Sequence, residues 1–145
     1  MRKRAGIILI HDGKLALMER HKQGRHYFAY PGGGVDDGET DEQAAVREAW
    51  EELGIRVEVV QKAAEILRTG RRDQVYFLVN WVDGEFGTGT GEEYEEVDEE
   101  HGTYNPLWMP LEEVMVKNVV PRQLAELTVR SHQAGWGESV VIHES

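Results

Sequence analysis

The chain opens with two short apolar runs separated by a turn signal. Residues 7–10 and 14–18 lie on either side of His11-Asp12-Gly13, and an Asp-Gly pair between apolar runs is typical of a β-hairpin. A short aromatic segment, residues 27–30, follows and ends at Pro31 and three glycines. We therefore predict that the chain begins with strands and that its periodicity changes after the glycines.

The segment after the glycines predicts a helix over residues 41–53. Thr40 and Gln43 stand at the spacing of a capping box, and Asp41 and Glu42 place negative charge in the first turn, where the helix dipole favours it. Gly54 is suited to the left-handed residue that ends a helix. Both ends of this helix are therefore predicted from local signals.

At about 100° per residue, the side chains of this helix separate into two faces. The apolar stripe is predicted to consist of Val46, Ala49, Trp50 and Leu53. The opposite face is predicted to carry Glu48, Glu51 and Glu52. Exposed like charges at such spacings repel by a few tenths of a kcal/mol, whereas a hard divalent cation is bound through carboxylate oxygens. The pattern is compatible with a cation site, although an acidic helix face of this kind is more often simply solvated. Arg47 is placed to pair with Glu51 one turn later.

The rest of the chain alternates strand and helix signals. Strands are predicted over 57–60, 64–67, 75–82 and 107–109, and the long β-branched and aromatic stretch 75–82 is the candidate for the sheet centre. A second helix is predicted after Pro121, with Leu124, Leu127 and Val129 turned inward and Gly135 as its end. Residues 140–142 are predicted as an edge strand.

The amino-acid composition excludes several classes of protein for this chain. The chain has 145 residues, 27 acidic and 16 basic side chains, a net charge of −11 and no cysteine, which indicates a single domain over 1–145 and excludes thiol catalysis. The first apolar run, of six residues, is shorter than that of a signal peptide, and no run reaches the roughly 20 apolar residues of a membrane span. We therefore expect a cytoplasmic protein, and its charge disfavours a nucleic-acid partner.

One motif joins the glycines to the first helix. Gly33 is followed after five residues by Glu39 and after seven more by the run 47–55, Arg-Glu-Ala-Trp-Glu-Glu-Leu-Gly-Ile. This resembles the complete Nudix box, which is Gly, five residues, Glu, seven residues, Arg-Glu, an apolar residue, any residue, Glu-Glu, any residue, Gly and an apolar residue. At single-residue frequencies of roughly 7%, chance agreement is on the order of one in a million. The segments 30–34 and 108–114 extend the likeness more weakly.

The resemblance implies an α/β (α+β) fold, an α/β/α sandwich with a mixed β-sheet between helices. It also implies an enzyme that hydrolyses the pyrophosphate bond of a nucleoside diphosphate linked to another group, with Mg²⁺ or Mn²⁺ as cofactor. The box residues would divide into metal ligands, Glu48, Glu51 and Glu52, and an orienting residue, Arg47. Gly33, Glu39 and Gly54 would be structural residues of the box, with an outer metal-site role as the alternative for Glu39.

The general base is not specified by the box. Some relatives carry a carboxylate just before the tryptophan of the closing strand, but that position here is Leu107. The acidic segment 92–96 offers Glu93 as the first candidate. The alternatives are Glu51 and Glu52, either of which would take the proton from water.

Substrate contacts are expected from basic and aromatic residues outside the box. Arg25, Arg71 and Arg72 are candidates for binding phosphates, and Tyr27 or Phe28 for stacking on a base. The expected partner is a small nucleotide, bound by a monomer or homodimer. The six histidines show no metal-ligand spacing along the chain, and the sequence assigns them no role.

Two other functions compete with hydrolysis of a small nucleotide. The first is a non-catalytic, nucleotide-binding regulatory domain, since fold and function separate readily; the retention of all three box glutamates argues against it. The second is removal of an RNA cap, which would require a protein of charge −11 to bind a long polyanion.

Overall fold

The computed structural model describes residues 2–89 and 102–144. The helices are α1 (Asp41–Leu53), α2 (Leu111–Val114) and α3 (Arg122–Ala134). The strands are β1 (Arg4–Ile8), β2 (Ile10–His11), β3 (Lys14–Lys22), β4 (Arg25–Ala29), β5 (Gly32–Gly34), β6 (Ile55–Arg68), β7 (Gln74–Gly84), β8 (Asn105–Pro110), β9 (Val119–Val120) and β10 (Val140–Glu144).

Five strands form a mixed sheet, here called the central sheet, in the order β10-β6-β7-β1-β5. β7 lies at its centre and β10 at its edge, as predicted for 75–82 and 140–142. β1 pairs with β7 in parallel and with β5 in antiparallel orientation. The two strands predicted at 57–60 and 64–67 are one strand, β6, because β-bulges let it stay paired with β7 across the intervening residues.

The second sheet contains β2, β3, β4, β8 and β9. The predicted first hairpin is confirmed for β2 and β3, which pair Ile10 with Leu15 around a turn in which Asp12 and Gly13 both have positive φ. The run 7–10 is nevertheless not one strand. Its first half ends β1 in the central sheet, and its second half is β2, so the chain changes sheets at Leu9.

Helix α1 begins and ends at the predicted residues. The Thr40 hydroxyl accepts a hydrogen bond from the backbone N–H of Gln43, the Gln43 side chain accepts one from the Thr40 N–H, and Gly54 adopts φ 76°. The predicted apolar stripe is partly wrong, because Trp50 is 47% exposed. The buried face consists of Ala44, Ala45, Glu48, Ala49, Glu52 and Leu53. Small alanines let α1 approach β1, β5 and β6 closely, and this approach also buries two carboxylates.

Two clusters of buried side chains lie on opposite faces of the central sheet. One joins Ala49 and Leu53 of α1 to Ile7 and Phe77 of the sheet. The other joins the sheet to Leu124 of α3 and to residues of the second sheet. The expected sandwich of helices around a mixed sheet is therefore confirmed, with the second sheet as an addition to it.

The second predicted helix is confirmed as α3, with Leu124 and Leu127 buried and Val129 packed at the edge of the core. The short helix α2 was not predicted. Among residues 2–89 and 102–144, no helix combines the length and apolar character needed to cross a bilayer.

Replacing Gly54 by Ala should lower the free energy of unfolding by about 3 kcal/mol. A left-handed alanine costs roughly 1–2 kcal/mol, and its Cβ would also press on Thr88 and the carbonyl oxygen of Glu85, which adds strain of about 1–3 kcal/mol. Gly70 has nearly the same backbone, with φ 70°, but no atom within 4 Å of an added Cβ. Urea denaturation of Gly70→Ala should therefore show a loss of only about 1–2 kcal/mol, and equal losses in the two variants would contradict the packing argument.

Candidate active site

The glycine strand β5 lies directly over the acidic face of α1. A Cβ at Gly33 would collide with the carboxylate of Glu48, and the backbone N–H of Gly32 donates to Oε1 of Glu52 at 3.3 Å. Glu48 and Glu52 are only 8% and 5% exposed. Glycine is therefore needed at position 33, because a side chain there would occupy the space of the Glu48 carboxylate, and Gly32–Gly34 form the strand β5.

Arg47 is the centre of the hydrogen bonds around these carboxylates. Its guanidinium donates to both oxygens of Glu39, at 2.8 and 3.0 Å, and to the Gly34 carbonyl at 2.9 Å. Nη1 reaches Glu48 and Glu51, each at 3.0 Å. The predicted pairing of Arg47 with Glu51 is confirmed, and one planar group connects the loop before α1, the β5 backbone and the helix.

The charges in this network stabilise one another. The hydrogen bonds from Arg47 hold the pKa of the Glu39 carboxyl below its ordinary value, assisted by the backbone N–H of Asp36. The same hydrogen bonds to Glu39 raise the pKa of Arg47, with further support from Glu48 and Glu51. Arg47 and Glu39 are therefore both charged at neutral pH, and Arg47 offsets part of the repulsion among the α1 glutamates.

The three glutamates of α1 do not share one surface. Glu51 has a side chain 37% exposed and points toward Arg47, whereas Glu48 and Glu52 are buried beneath β5. Within the described part of the chain, Glu48, Glu51 and Glu52 do not bring three ligand oxygens within 4.8 Å of one another. The predicted solvent-facing acidic patch is thus replaced by a buried pair and one outer carboxylate.

A cleft of about 290 Å³ opens between β5, α1 and the second sheet. Its charged lining consists of two acidic side chains, Glu48 and Glu52, and of three arginines. The cleft is lined by Arg4, Met18, Arg20, Ala29, Tyr30, Gly32, Gly33, Gly34, Glu48, Glu52, Arg72 and Tyr104. Two buried carboxylates are oxygen ligands of the kind that Mg²⁺ and Mn²⁺ prefer, so the donor set fits such an ion.

The three arginines of the cleft come from positions far apart in sequence. The guanidinium of Arg4 donates to the Tyr30 carbonyl at 2.8 Å, while its other terminal nitrogen, Nη1, is buried and makes no hydrogen bond within the described residues. Burial, followed by the charges of Arg4 and Arg68, lowers the pKa of Arg72. Like charges held this close favour an anion between them.

The structure separates the residues predicted to contact substrate. Arg72 lies in the cleft with the glutamates. Arg25 lies at a different, larger cavity of about 890 Å³ at the β3–β4 turn, with its guanidinium 5.0 Å from the centre of the Tyr27 ring, and Arg71 is exposed before β7. Phe28 is in the core, so it does not offer a free face for stacking.

The predicted general base Glu93, with the rest of the acidic segment 92–96, lies outside the described residues. Leu107 lies on β8, paired with Leu17 of β3, and provides no carboxylate. Among the candidates that the structure describes, Glu52 faces the cleft and Glu51 lies at the outer side of the Arg47 network.

Sequence reasoning missed Arg4, Arg20 and Tyr104 as cleft residues. The Arg20 guanidinium lies 3.7 Å from the centre of the Tyr104 ring and donates to the Thr103 carbonyl at 2.8 Å. Alternation along β3 would have placed Arg20 on the same face as Met18. The sequence near Arg4 gives no sign that this residue lines the cleft. Arg4 comes close to Arg72 only through the parallel pairing of β1 with β7.

Comparison with known families gives a match over most of the chain. A family model described as the NUDIX domain matches residues 1–128. The chain is 45% identical over 60 residues to an RNA pyrophosphohydrolase of Aeromonas hydrophila, covering 41% of this chain and 33% of that protein. It is 41% identical over 77 residues to the RNA pyrophosphohydrolase of Tolumonas auensis, covering 53% of this chain and 41% of that protein. The chain thus spans about a third to two fifths of the length of these curated relatives.

Solved structures show the same fold over nearly the whole chain. A NUDIX hydrolase of Nitrosomonas europaea superposes with a TM-score of 0.74 at 19% identity, covering 99% of this chain and 79% of that one. An ADP-ribose pyrophosphatase of Streptococcus suis superposes with a TM-score of 0.70 at 16% identity, covering 97% of this chain and 98% of that one. At these identities the likeness concerns the fold.

Proposed function

The chain belongs to the NUDIX family, and on this premise we propose that it is a divalent-metal-dependent hydrolase that cleaves the pyrophosphate bond of a nucleoside diphosphate linked to another group. One observation carries the proposal. The same cleft is lined by the buried carboxylates Glu48 and Glu52 and by the guanidinium groups of Arg4, Arg20 and Arg72. Carboxylates and guanidinium groups lining one cleft suit a bound cation together with the phosphates that it neutralises.

The residues that would hold the ion are Glu48, Glu51 and Glu52. When bound, Mg²⁺ or Mn²⁺ supplies positive potential at the phosphates and lowers the pKa of a coordinated water. Arg47 keeps Glu48 and Glu51 oriented through its Nη1 contacts, and the Gly32 N–H does the same for Glu52. These contacts fix the carboxylates before substrate arrives, so little reorganisation is needed during reaction.

The arginines of the cleft would bind the negative charge of the diphosphate. Nη1 of Arg4, buried without a hydrogen bond within the described residues, has a donor available for a phosphate oxygen. The Arg20 guanidinium lies over the Tyr104 ring, and Tyr104 also lines the cleft, so it is a candidate contact for a base or sugar. Proton removal from water is assigned to a carboxylate, with Glu52 and Glu51 as described candidates and Glu93 as the candidate outside the described residues.

The substrate class rests on charge and on the named relatives. A net charge of −11 opposes binding of a long polyanion and favours a small nucleotide held in a local basic cleft. The relatives named RNA pyrophosphohydrolase make the triphosphate end of RNA the main alternative substrate. Both substrates present the same phosphate chemistry to the cleft.

The deciding experiment is a hydrolysis screen with purified protein. Nucleoside triphosphates, nucleotide sugars, dinucleoside polyphosphates and a short 5′-triphosphate RNA would be incubated with Mg²⁺, Mn²⁺ or EDTA, and both products identified by mass spectrometry. We expect metal-dependent release of phosphate or pyrophosphate from a small nucleotide. Tight nucleotide binding by calorimetry without turnover on any substrate would instead favour a regulatory, non-catalytic domain.

Arg72 and Arg71 provide a matched test of the cleft. Arg72→Gln should raise KM roughly 10- to 100-fold, because a hydrogen bond to a charged group is worth about 1.5–3 kcal/mol. Arg71→Gln removes the same charge from the adjacent, exposed residue and should leave KM nearly unchanged. Steady-state kinetics on the substrate found in the screen would measure both, and equal effects would show that Arg72 acts only through the general field of the protein.

A further inference from the structure

Three side chains outside the candidate active site meet on one face of the β3–β4 hairpin: Glu19, His21 and His26, here called the hairpin triad. The strand register pairs His21 directly with His26, and Glu19, two residues before His21, shares its face. The hairpin turn at Gln23 and Gly24, with φ values of 51° and 77°, maintains this register.

The geometry of the hairpin triad is compact. Nε2 of His26 lies 2.8 Å from Oε2 of Glu19, and the two imidazole rings stack with centroids 4.2 Å apart and planes within 6°. One ligand atom from each residue lies within 4.8 Å of those of the other two. Parallel rings on paired strands thus present two imidazole nitrogens beside one carboxylate.

We propose that Glu19, His21 and His26 bind a transition-metal ion of the Zn²⁺ class, separate from the ion expected at α1. Two imidazoles and a carboxylate are the donor set that such ions prefer, whereas Mg²⁺ prefers oxygen ligands alone. A tetrahedral Zn²⁺ with bonds of about 2.0–2.1 Å spaces its ligand atoms roughly 3.3 Å apart, so the triad needs side-chain movements of about 1.5 Å or less. Because His21 and His26 are exposed, a water molecule can serve as the fourth ligand of the ion.

The surroundings of the triad suit a metal site. Nδ2 of Asn105 donates to Oε1 of Glu19 at 3.2 Å, which orients the carboxylate as outer hydrogen bonds do at metal centres. Lys22 and Arg25 are the next strand pair toward the turn and line the same cavity as the two histidines, with the Arg25 guanidinium 5.0 Å from the centre of the Tyr27 ring.

A bound ion would also act on the strand that carries Arg20. Arg20 lies between Glu19 and His21 in β3 and points from the opposite face into the cleft. An ion that links β3 to β4 near their turn would therefore restrict the backbone that positions Arg20. Binding at the triad does not depend on the proposed hydrolysis.

The test uses the full chain after treatment with EDTA. Zn²⁺ titration by calorimetry and Co²⁺ absorption would be measured in the Glu52→Gln background, which weakens the α1 site, and in the wild type. We expect one Zn²⁺ per chain at the triad in both proteins. His21→Asn and His26→Asn should each raise the Kd at least about 100-fold, and Asn105→Ala about 10-fold, while His132→Asn, an exposed histidine on α3, should leave it unchanged.

The ring signals of His21 and His26 in NMR spectra show directly which residues the ion contacts. Paramagnetic Ni²⁺ should broaden both of them before those of His132. The proposal is overturned if the double variant His21→Asn/His26→Asn, folded by circular dichroism, binds Zn²⁺ as tightly as His132→Asn does. It is equally overturned if the wild type binds no Zn²⁺ at micromolar concentration; neither result would affect the hydrolysis screen.

Discussion

Glu52→Gln is expected to lower kcat about 10²- to 10⁴-fold with Mg²⁺ while leaving the fold intact. The change removes one negative charge from a carboxylate that is 5% exposed and lines the cleft. A bound metal contributes several kcal/mol of transition-state stabilisation, and each 1.36 kcal/mol is about tenfold in rate. The amide oxygen of glutamine can still accept the hydrogen bond from the Gly32 N–H, so the packing beneath β5 should survive.

The matched control is Glu42→Gln, which removes the same charge from an exposed residue in the first turn of α1. Its kcat should stay within about twofold of the wild type, because Glu42 is exposed and does not line the cleft. Its stability should fall by only about 0.3–1 kcal/mol, the usual value of a surface charge near a helix end. Single-turnover kinetics at saturating Mg²⁺ would separate the two variants. If Glu52→Gln keeps more than a tenth of the wild-type rate, the assignment of this carboxylate to the metal site is wrong.

Arg47→Ala should produce the next largest effect, with a 10- to 100-fold loss of activity and a loss of about 2–4 kcal/mol in the free energy of unfolding. The expected loss of activity is the 10- to 100-fold effect that is usual when a group that orients metal ligands is removed. The stability estimate follows from leaving Glu39, Glu48 and Glu51 without their shared cation, reduced because Arg47 keeps 28% of its side chain exposed. Urea denaturation of this variant and of Arg130→Ala, an exposed arginine on α3, would measure the difference.

Arg47→Lys should restore little of either loss. A guanidinium reaches both oxygens of Glu39 and the Gly34 carbonyl in one plane, together with Glu48 and Glu51, whereas an ammonium has three donors on a flexible stem. Lysine would keep the positive charge and lose the planar arrangement of N–H donors. Recovery of full stability by lysine would mean that Arg47 acts as a charge and not through its geometry.

The difference in the free energy of unfolding between the wild type and Arg47→Ala should become smaller as the pH falls. Arg47 lowers the pKa of Glu39 in the folded protein, so this pair stabilises the fold above the unfolded pKa of a glutamate, about 4.3, and the contribution is lost as pH falls through the lower folded value. Arg47→Ala lacks the contribution at every pH. Unfolding curves at pH 7 and at successively lower pH would test this, and a constant gap would contradict it.

Local signals were sufficient for α1. The capping box at Thr40 and Gln43, and the left-handed Gly54, are contacts within a few residues of one another, so their presence in the sequence determines the helix bounds. The same locality explains the pairing of Arg47 with Glu51, one turn apart. The box spacing also placed the three glutamates on this helix.

The helical wheel predicted the order of side chains around α1 and misjudged which of them are buried. Trp50 was predicted inward and is exposed, with the Arg56 guanidinium 5.1 Å from the centre of its ring. The face of a helix that becomes buried depends on the shape of the strands and helices against which the helix packs. Here the glycine strand β5 and the alanines of α1 allow an approach that covers Glu48 and Glu52.

By itself the sequence determined the ends of α1, the strand at the centre of the sheet and the family, because these depend on interactions or spacings within short stretches of chain. The tertiary structure alone decided that β5 is a strand, that Arg4 and Arg72 share a cleft, and that Glu19, His21 and His26 meet. These arrangements depend on strand pairing and on packing between segments distant along the chain. Each of these arrangements is stabilised by burial and hydrogen bonds that two distant segments form together. The sequence of one segment alone therefore does not predict the arrangement.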